Sequence, residues 1–195
     1  MDTRQVTLEH ASKLVNQGLH AEAKQLLCAW LKEHPDDAEI MIEYVWLCYE
    51  DVSMEEWEQL LASDVLSASE NSEVHGKLAD AYYLMGDDAK AAHHFRVAVQ
   101  LDETNWRAWQ GLALLYTTAQ VSFQEAERFL RKALEIAPSE WQIAFNLGSI
   151  YAQQEKRFEA QQMLRKALAL APSSKRDLIE HHLRSVGDVS DMPQR

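Results

Sequence analysis

The chain has 195 residues, of which 47% are hydrophobic and 26% are charged, which is the composition of a globular protein with room for one domain or two small ones. The formal net charge is −12, and an acidic chain is repelled by phosphate backbones and anionic lipid. We therefore expect no nucleic-acid partner and no membrane partner. With only six glycines and four prolines between long runs of helix-forming residues, the sequence predicts an all-α protein.

The N-terminal residues MDTRQVTLEH contain no apolar run, so we expect no secretory signal. No stretch approaches the ~18 consecutive apolar residues of a membrane-spanning helix. Cys28 and Cys48 do not form a CxxC pair, and we expect both to be reduced and buried in a cytoplasmic protein, with a disulfide as the minor alternative.

One phrase occurs twice in the chain. Residues 131–139 read RKALEIAPS, and residues 165–173, 34 residues later, read RKALALAPS. Ahead of the second copy stand Leu147, Gly148, Tyr151, Ala160 and Leu164, and the copy itself contains Ala167 and Pro172. This pattern resembles the tetratricopeptide repeat, whose signature is W-x2-L-G-x2-Y followed by Ala, Phe and Pro over about 34 residues.

The resemblance implies an α-solenoid of about five helical hairpins, stacked because no single hairpin can bury its own apolar surface. By register, the repeats are predicted over 4–37, 38–71, 72–105, 106–140 and 141–174. The extra residue of the fourth repeat is placed around 118–121. Residues 175–186 are predicted to form a C-terminal capping helix, and 187–195 a disordered tail. We expect one elongated domain over 4–186.

The second repeat departs most from the pattern. Tyr44, Val45 and Cys48 replace the usual Leu, Gly and Tyr, and Trp57 replaces the small Ala of the second helix. We therefore expect looser or differently angled helix packing in this repeat.

Helix starts are predicted at four serines. Ser53 and Ser122 are each followed by Glu three residues later, as in a capping box. Ser139 and Ser173, which follow the prolines of the repeated phrase, can cap the next helices.

The resemblance also implies that first helices line a concave groove through repeat positions 2, 5, 9, 12 and 13. In the first repeat these positions are Gln5, Leu8, Ser12, Val15 and Asn16. From the later repeats, the predicted groove residues are Glu39, Ile42, Trp46, Tyr49, Glu50, Glu73, Asp80, Tyr83, Arg107, Leu114 and Phe145. Large apolar groups beside carboxylates favour a protein client with an apolar and basic segment. The alternative is that these aromatics pack internally or in a homodimer.

The sequence contains no motif typical of a catalytic, metal-binding or cofactor-binding site. The adjacent pairs at 93–94 and 181–182 are expected to be solvent-facing histidines, whereas His10 and His75 occupy repeat-motif positions and are expected to be partly buried. No HExxH, paired CxxC or phosphate-binding loop occurs, so we predict no metal, no cofactor and no catalytic residues. The charge clamp with which some family members hold the carboxylate of heat-shock chaperones is also missing from every set of three consecutive repeats.

Two functional hypotheses follow. The first is a binding module, an adaptor or chaperone that loosely resembles secretion chaperones built from such repeats. The second is a structural subunit or assembly factor of a larger complex, which could be secretion-related. Trp30, Trp46 and Trp57 favour a specialised contact surface in the N-terminal part.

Overall fold

The computed structural model describes residues 3–118 and 122–187, and within them every regular element is a helix. The N-terminal helices are α1 (Thr3–Asn16), α2 (His20–Glu33), α3 (Ala38–Cys48), α4 (Met54–Leu61), α5 (Asp64–Ser67), α6 (Ser72–Leu84) and α7 (Asp88–Leu101). The C-terminal helices are α8 (Trp106–Thr118), α9 (Phe123–Ile136), α10 (Trp141–Gln153), α11 (Arg157–Leu170) and α12 (Ser173–Val186). The predicted all-α class is therefore confirmed.

The helices form two compact units, residues 1–101 and residues 102–195. We call them the N-terminal unit and the C-terminal unit. Each consists of helices that pair with the next helix along the chain, as α1 does with α2 and α10 with α11. The single domain over 4–186 stays a prediction.

Small residues allow the paired helices to approach closely. In the N-terminal unit, Ala79 of α6 and Ala91 of α7 are both fully buried. In the C-terminal unit, a Cβ placed on Gly148 of α10 would lie 2.8 Å from Leu164 Cγ and 3.2 Å from the carbonyl oxygen of Ala160, both in α11. Any larger residue at position 148 therefore forces α11 to move.

The second hairpin is irregular because of Trp57. Its indole is fully buried, and its Nε1–H donates to the carbonyl oxygen of Val45 in α3 at 2.8 Å. A tryptophan fills far more space than the alanine usual at this place. The second helix here, α4, has only eight residues and is followed by the four-residue α5.

The predicted caps have mixed outcomes. Ser53 forms the complete capping box with Glu56, and Ser122 accepts from the backbone N–H of Glu125 at 3.3 Å. The caps predicted at Ser139 and Ser173 are wrong. Helix α10 begins only at residue 141, two positions beyond Ser139, and Ser173 is already inside the first turn of α12.

The C-terminal helix α12 covers the last hairpin of its unit. Its Ile179 is fully buried in a cluster with Ala144, Leu164 and Ala167. Gln161 of α11 donates to the backbone carbonyl of Gly187, which follows α12. The predicted tail, apart from Gly187, and residues 119–121 of the predicted insertion lie outside the described residues.

Candidate protein-binding surface

Three aromatic side chains of the N-terminal unit form one cluster. Trp46 of α3 and Tyr49, which directly follows that helix, both contact the ring of Trp57 edge-on, with ring centroids 5.5 Å and 4.6 Å away. Trp57 is buried, Trp46 is half-buried and Tyr49 is 38% exposed. The two predicted groove residues are therefore held from behind by a rigid core residue, an arrangement that suits binding anchors.

Ile42 does not line an open surface, although the repeat register placed it in the groove. It is only 2% exposed and belongs to the core of the N-terminal unit. Helix α3 carries Ile40, Val45 and Cys48 as further buried positions, so more than one face of this helix is covered. The expectation for Ile42 is corrected accordingly.

The acidic side chains predicted for the groove lie at the surface. Glu50, Glu73 and Asp80 are exposed, and Glu39 is half-buried with an ion pair to Arg4 of α1 at 3.3 Å. Tyr83, near the end of α6, is half-buried. Each of these carboxylates therefore adds negative charge to the surface of the N-terminal unit.

A pocket of about 350 Å³ lies between α1, α2 and α3, and we call it the α1–α3 pocket. Its lining includes Leu8, Ser12 and Val15 of α1, Leu27 of α2, and Trp46 and Leu47 of α3. Groove positions of the first two predicted repeats thus meet in one cavity.

Four residues of the α1–α3 pocket, Ala11, Leu27, Glu43 and Leu47, were not predicted. Ala11 and Leu27 belong to the interior of the first hairpin. Glu43, which also forms an ion pair with Lys77 of α6, lies between two groove positions of its repeat. The groove positions expected for the family do not include residues at the floor of a pocket. The 34-residue register alone therefore does not predict these residues.

The C-terminal unit carries the remaining predicted residues. Arg107 is exposed, with its guanidinium 4.6 Å from the ring centroid of Trp106, and Leu114 is partly exposed. Phe145 is half-buried and contacts His182 of α12 edge-on at 4.9 Å. The capping helix therefore covers part of the Phe145 ring.

A polar cluster links charges within the C-terminal unit. Arg131 donates to the hydroxyl of Tyr151 at 2.7 Å and to Glu127 at 2.9 Å, and the Tyr151 hydroxyl donates to Glu127 at 3.0 Å. These bonds, together with Lys156, outweigh burial and lower the pKa of Glu127. The charged side chains of this cluster are therefore paired with one another through hydrogen bonds and ion pairs.

Two histidines of the N-terminal unit are buried against each other, His75 of α6 and His94 of α7, with 2.9 Å between their Nδ1 atoms. The expectation of solvent-facing histidines at 93–94 is therefore wrong for His94, which packs flat on the ring of Tyr82 at 5.5 Å. Its neighbour His93 is exposed, since consecutive helical residues point to different sides.

The hydrogen bonds of this pair fix its protons. His75 Nε2 lies 2.9 Å from the carbonyl oxygen of Ser69, which can only accept. His75 therefore carries its proton on Nε2, and His94 donates its own Nδ1 proton to the bare Nδ1 of His75. Burial, with a smaller contribution from His75, lowers the pKa of His94 from 6.5 to about 4, and burial also lowers the pKa of His75.

Family models of the tetratricopeptide repeat match residues 72–105, 107–140 and 142–174. These spans agree within two residues with the predicted third, fourth and fifth repeats. This chain is a tetratricopeptide repeat protein.

Solved tetratricopeptide proteins share the fold at low sequence identity. Yeast Tom70 is 19% identical with a TM-score of 0.79, over 93% of this chain and 39% of that one. PilF of Pseudomonas aeruginosa is 16% identical with a TM-score of 0.79, over 94% of this chain and 83% of that one. A thermophilic tetratricopeptide protein of Thermus thermophilus is 19% identical with a TM-score of 0.72, over 93% and 97%. The sequence has no significant match among curated proteins.

Membership of the tetratricopeptide family and likeness to these solenoids support a protein–protein interaction scaffold, since such repeats are typically non-catalytic modules that bind protein partners. In residues 3–118 and 122–187, no group of three or more His, Cys, Asp or Glu side chains is arranged to hold a metal ion. Over the same residues, none of the helices has the length and apolar character needed to cross a bilayer.

Proposed function

We propose that this tetratricopeptide protein is a non-catalytic adaptor or chaperone that binds a client protein through an apolar and basic segment on its first-helix surface. The observation that carries this proposal is the aromatic pair Trp46 and Tyr49, held at the surface by the buried Trp57. Tryptophan and tyrosine supply much contact area at a low entropic cost, and they dominate protein–protein binding energy.

The surrounding residues are proposed to orient the client. Tyr83, Leu114 and Phe145 add partly exposed apolar surface, each within its own unit. Carboxylates complement a basic segment and disfavour anionic partners such as nucleic acid and lipid headgroups. Those assigned this role are Glu39, Glu50, Glu73 and Asp80. Arg107 is proposed to contact an acidic or aromatic group of the client.

We place this activity in the cytoplasm. Cys28 and Cys48 are both free thiols, and reduced cysteines are the ordinary state there. Fractionation of the native organism, with detection of the chain in each compartment, tests this placement.

One observation favours the alternative of a structural subunit or assembly factor of a larger complex. Phe158, in the first turn of α11, is 62% exposed, and Leu178 of α12 is also exposed. Large apolar side chains on these two helices suit a permanent neighbour or a second copy of the chain.

The two functions are separated by affinity purification from the native lysate, read by mass spectrometry. Wild type is run beside Trp46→Ala/Tyr83→Ala and beside Phe158→Ala/Leu178→Ala, each shown to be as helical as wild type. A client lost only with the first double variant supports the adaptor, and each of its substitutions should cost about 2 kcal/mol or more of binding free energy. Loss only with the second variant supports the subunit function.

A further inference from the structure

We infer that the α1–α3 pocket is the anchor point of the client and takes one bulky apolar side chain of a partner segment that carries Lys or Arg beside it. This inference rests on the proposed function, and it adds the place of the anchor and the kind of side chain that fills it.

The walls of the pocket are made for an apolar group. Leu8 and Val15 face Trp46 and Leu47 across it, and all four are only partly buried, so an occupant would cover them further. The volume of about 350 Å³ lies at the lower end of the range of about 300–1,000 Å³ found for ligand pockets. This volume has room for a single large side chain with its backbone.

The polar atoms of the pocket indicate a polypeptide. The Nε1–H of Trp46 is shielded from solvent and has no acceptor among the described residues. A shielded donor without an acceptor is unfavourable, and an occupant would relieve this cost if the indole shifts on binding so that the N–H meets a carbonyl oxygen of the occupant. Ser12, on the exposed side of α1, offers a hydroxyl at the rim. A peptide backbone brings both donors and acceptors to such a site.

The charge of the segment follows from an unequal distribution along the chain. Residues 1–101 contain 19 acidic and 7 basic side chains, whereas residues 102–195 contain 12 of each. The net charge of −12 thus belongs entirely to the unit that holds the pocket. Glu50 and Glu73 form no ion pair with any described residue. A cationic segment would be attracted and oriented by this field.

The same charges argue against two other occupants. The chain's own C-terminal residues, DVSDMPQR, contain two Asp and one Arg, so the acidic unit repels them. A second copy of the chain would bring another N-terminal unit with the same excess of carboxylates. The occupant that fits is a segment of a different, basic protein.

The test is a selection from a phage-displayed library of random peptides on the full chain, with Ser12→Trp as the variant that fills the pocket. Val6→Trp is the matched control, because Val6 lies on the same helix, is exposed and does not line the pocket. Selected peptides are synthesised, and their affinities are measured by fluorescence anisotropy at low and physiological salt.

We expect selected peptides to combine a bulky apolar residue with Lys or Arg. They should bind wild type and Val6→Trp equally, and bind Ser12→Trp about tenfold or more weakly. Trp46→Phe, which keeps an aromatic ring but removes the donor and part of the contact area, should weaken binding severalfold. Affinity should fall as salt is raised.

Equal binding to Ser12→Trp and Val6→Trp, selection of neutral or acidic peptides, or no selection at all would each overturn the inference. If Ser12→Trp instead changed only the sedimentation of the chain, the occupant would be a second copy, which also overturns it. Any of these results beside a client that depends on Trp46 and Tyr83 in the lysate experiment would leave the adaptor function standing.

Discussion

At the scale of single residues, the contact at Gly148 places a tight constraint on the sequence. A Cβ at this position would lie 2.8 Å from Leu164 Cγ, which is closer than carbon atoms can approach without movement. Leu164 is itself buried against the capping helix, so it has little room to yield. The signature glycine of the repeat is therefore needed here for close packing, not for backbone conformation.

We predict that Gly148→Leu lowers the free energy of unfolding by about 1–3 kcal/mol through overpacking, with Gly148→Ala less damaging. Thermal and urea unfolding followed by circular dichroism measure the effect. Gln153→Leu is the control, since Gln153 lies on the same helix but is exposed. Equal midpoints for Gly148→Leu and Gln153→Leu would contradict the close approach of α10 and α11.

Local rules for single residues succeeded at Ser53 but failed at Ser139 and Ser173, which cap no helix. Ser53 and Glu56 cap α4 because the two groups needed are only three residues apart. Burial of Ile42 depended on tertiary packing of several faces of α3, which the average groove geometry of the family does not include. The interior position of His94 was missed for the same reason, because its neighbour Tyr82 comes from another helix.

At the scale of helices, the pair formed by α6 and α7 contains a titratable contact in its core. His75 and His94 share one hydrogen bond, and Tyr82, the exposed His93 and Lys90 lie around them. Protonation of His75 at Nδ1 would place two N–H groups face to face. Both pKa values are lowered in the folded chain, so the unfolded chain binds more protons below pH 6.5.

We predict that the stabilisation from this pair is complete above about pH 6.5 and is lost as the pH falls towards 4. For His94 alone, a pKa lowered from 6.5 to about 4 corresponds to a total of about 3 kcal/mol. Urea unfolding at several pH values measures the slope. His94→Phe, which keeps a ring against Tyr82, should flatten it.

The control for the pH experiment is His93→Gln. His93 is exposed on the same helix, so its replacement should leave the dependence of stability on pH nearly unchanged. A slope that is flattened equally by His93→Gln and by His94→Phe would assign the effect to general charge rather than to the buried pair.

Helix pairs could be predicted from the sequence where the 34-residue repeat pattern is well preserved, as it is around Tyr116 and Tyr151. The second hairpin could not be predicted in detail. Trp57 indicated a departure, but the early end of α4 and the short α5 depend on how the indole packs and on its bond to Val45. Such a bond joins residues twelve positions apart and has no local signature.

At the scale of the whole molecule, the net charge is divided unequally between two units of similar length. The N-terminal unit carries the whole net charge of −12, and the C-terminal unit is neutral. Uncompensated carboxylates repel one another in a folded unit. This repulsion costs stability that a purely structural unit could avoid, which agrees with a binding role for the N-terminal unit.

We predict that salt stabilises the N-terminal unit more than the C-terminal one. Raising the ionic strength from about 0.01 M to about 0.15 M shortens the screening length from about 30 Å to about 8 Å, which weakens repulsion between exposed carboxylates. Hydrogen exchange read by mass spectrometry should show slower exchange in α1 to α7 at the higher salt. The neutral unit, α8 to α12, is the internal control, and an equal change in both would contradict the prediction.

The contact between Gly148 and Leu164 also has a consequence for natural variation of this sequence. Because a methyl group at position 148 would occupy the space of Leu164 Cγ, the two positions are not free to drift separately. Among orthologues, an alanine at the first position should appear together with a residue that has no γ atom, such as alanine, at the second. Aligned relatives would then show covariation between these two columns, and an intermediate that has alanine at the first position and keeps leucine at the second should be rare.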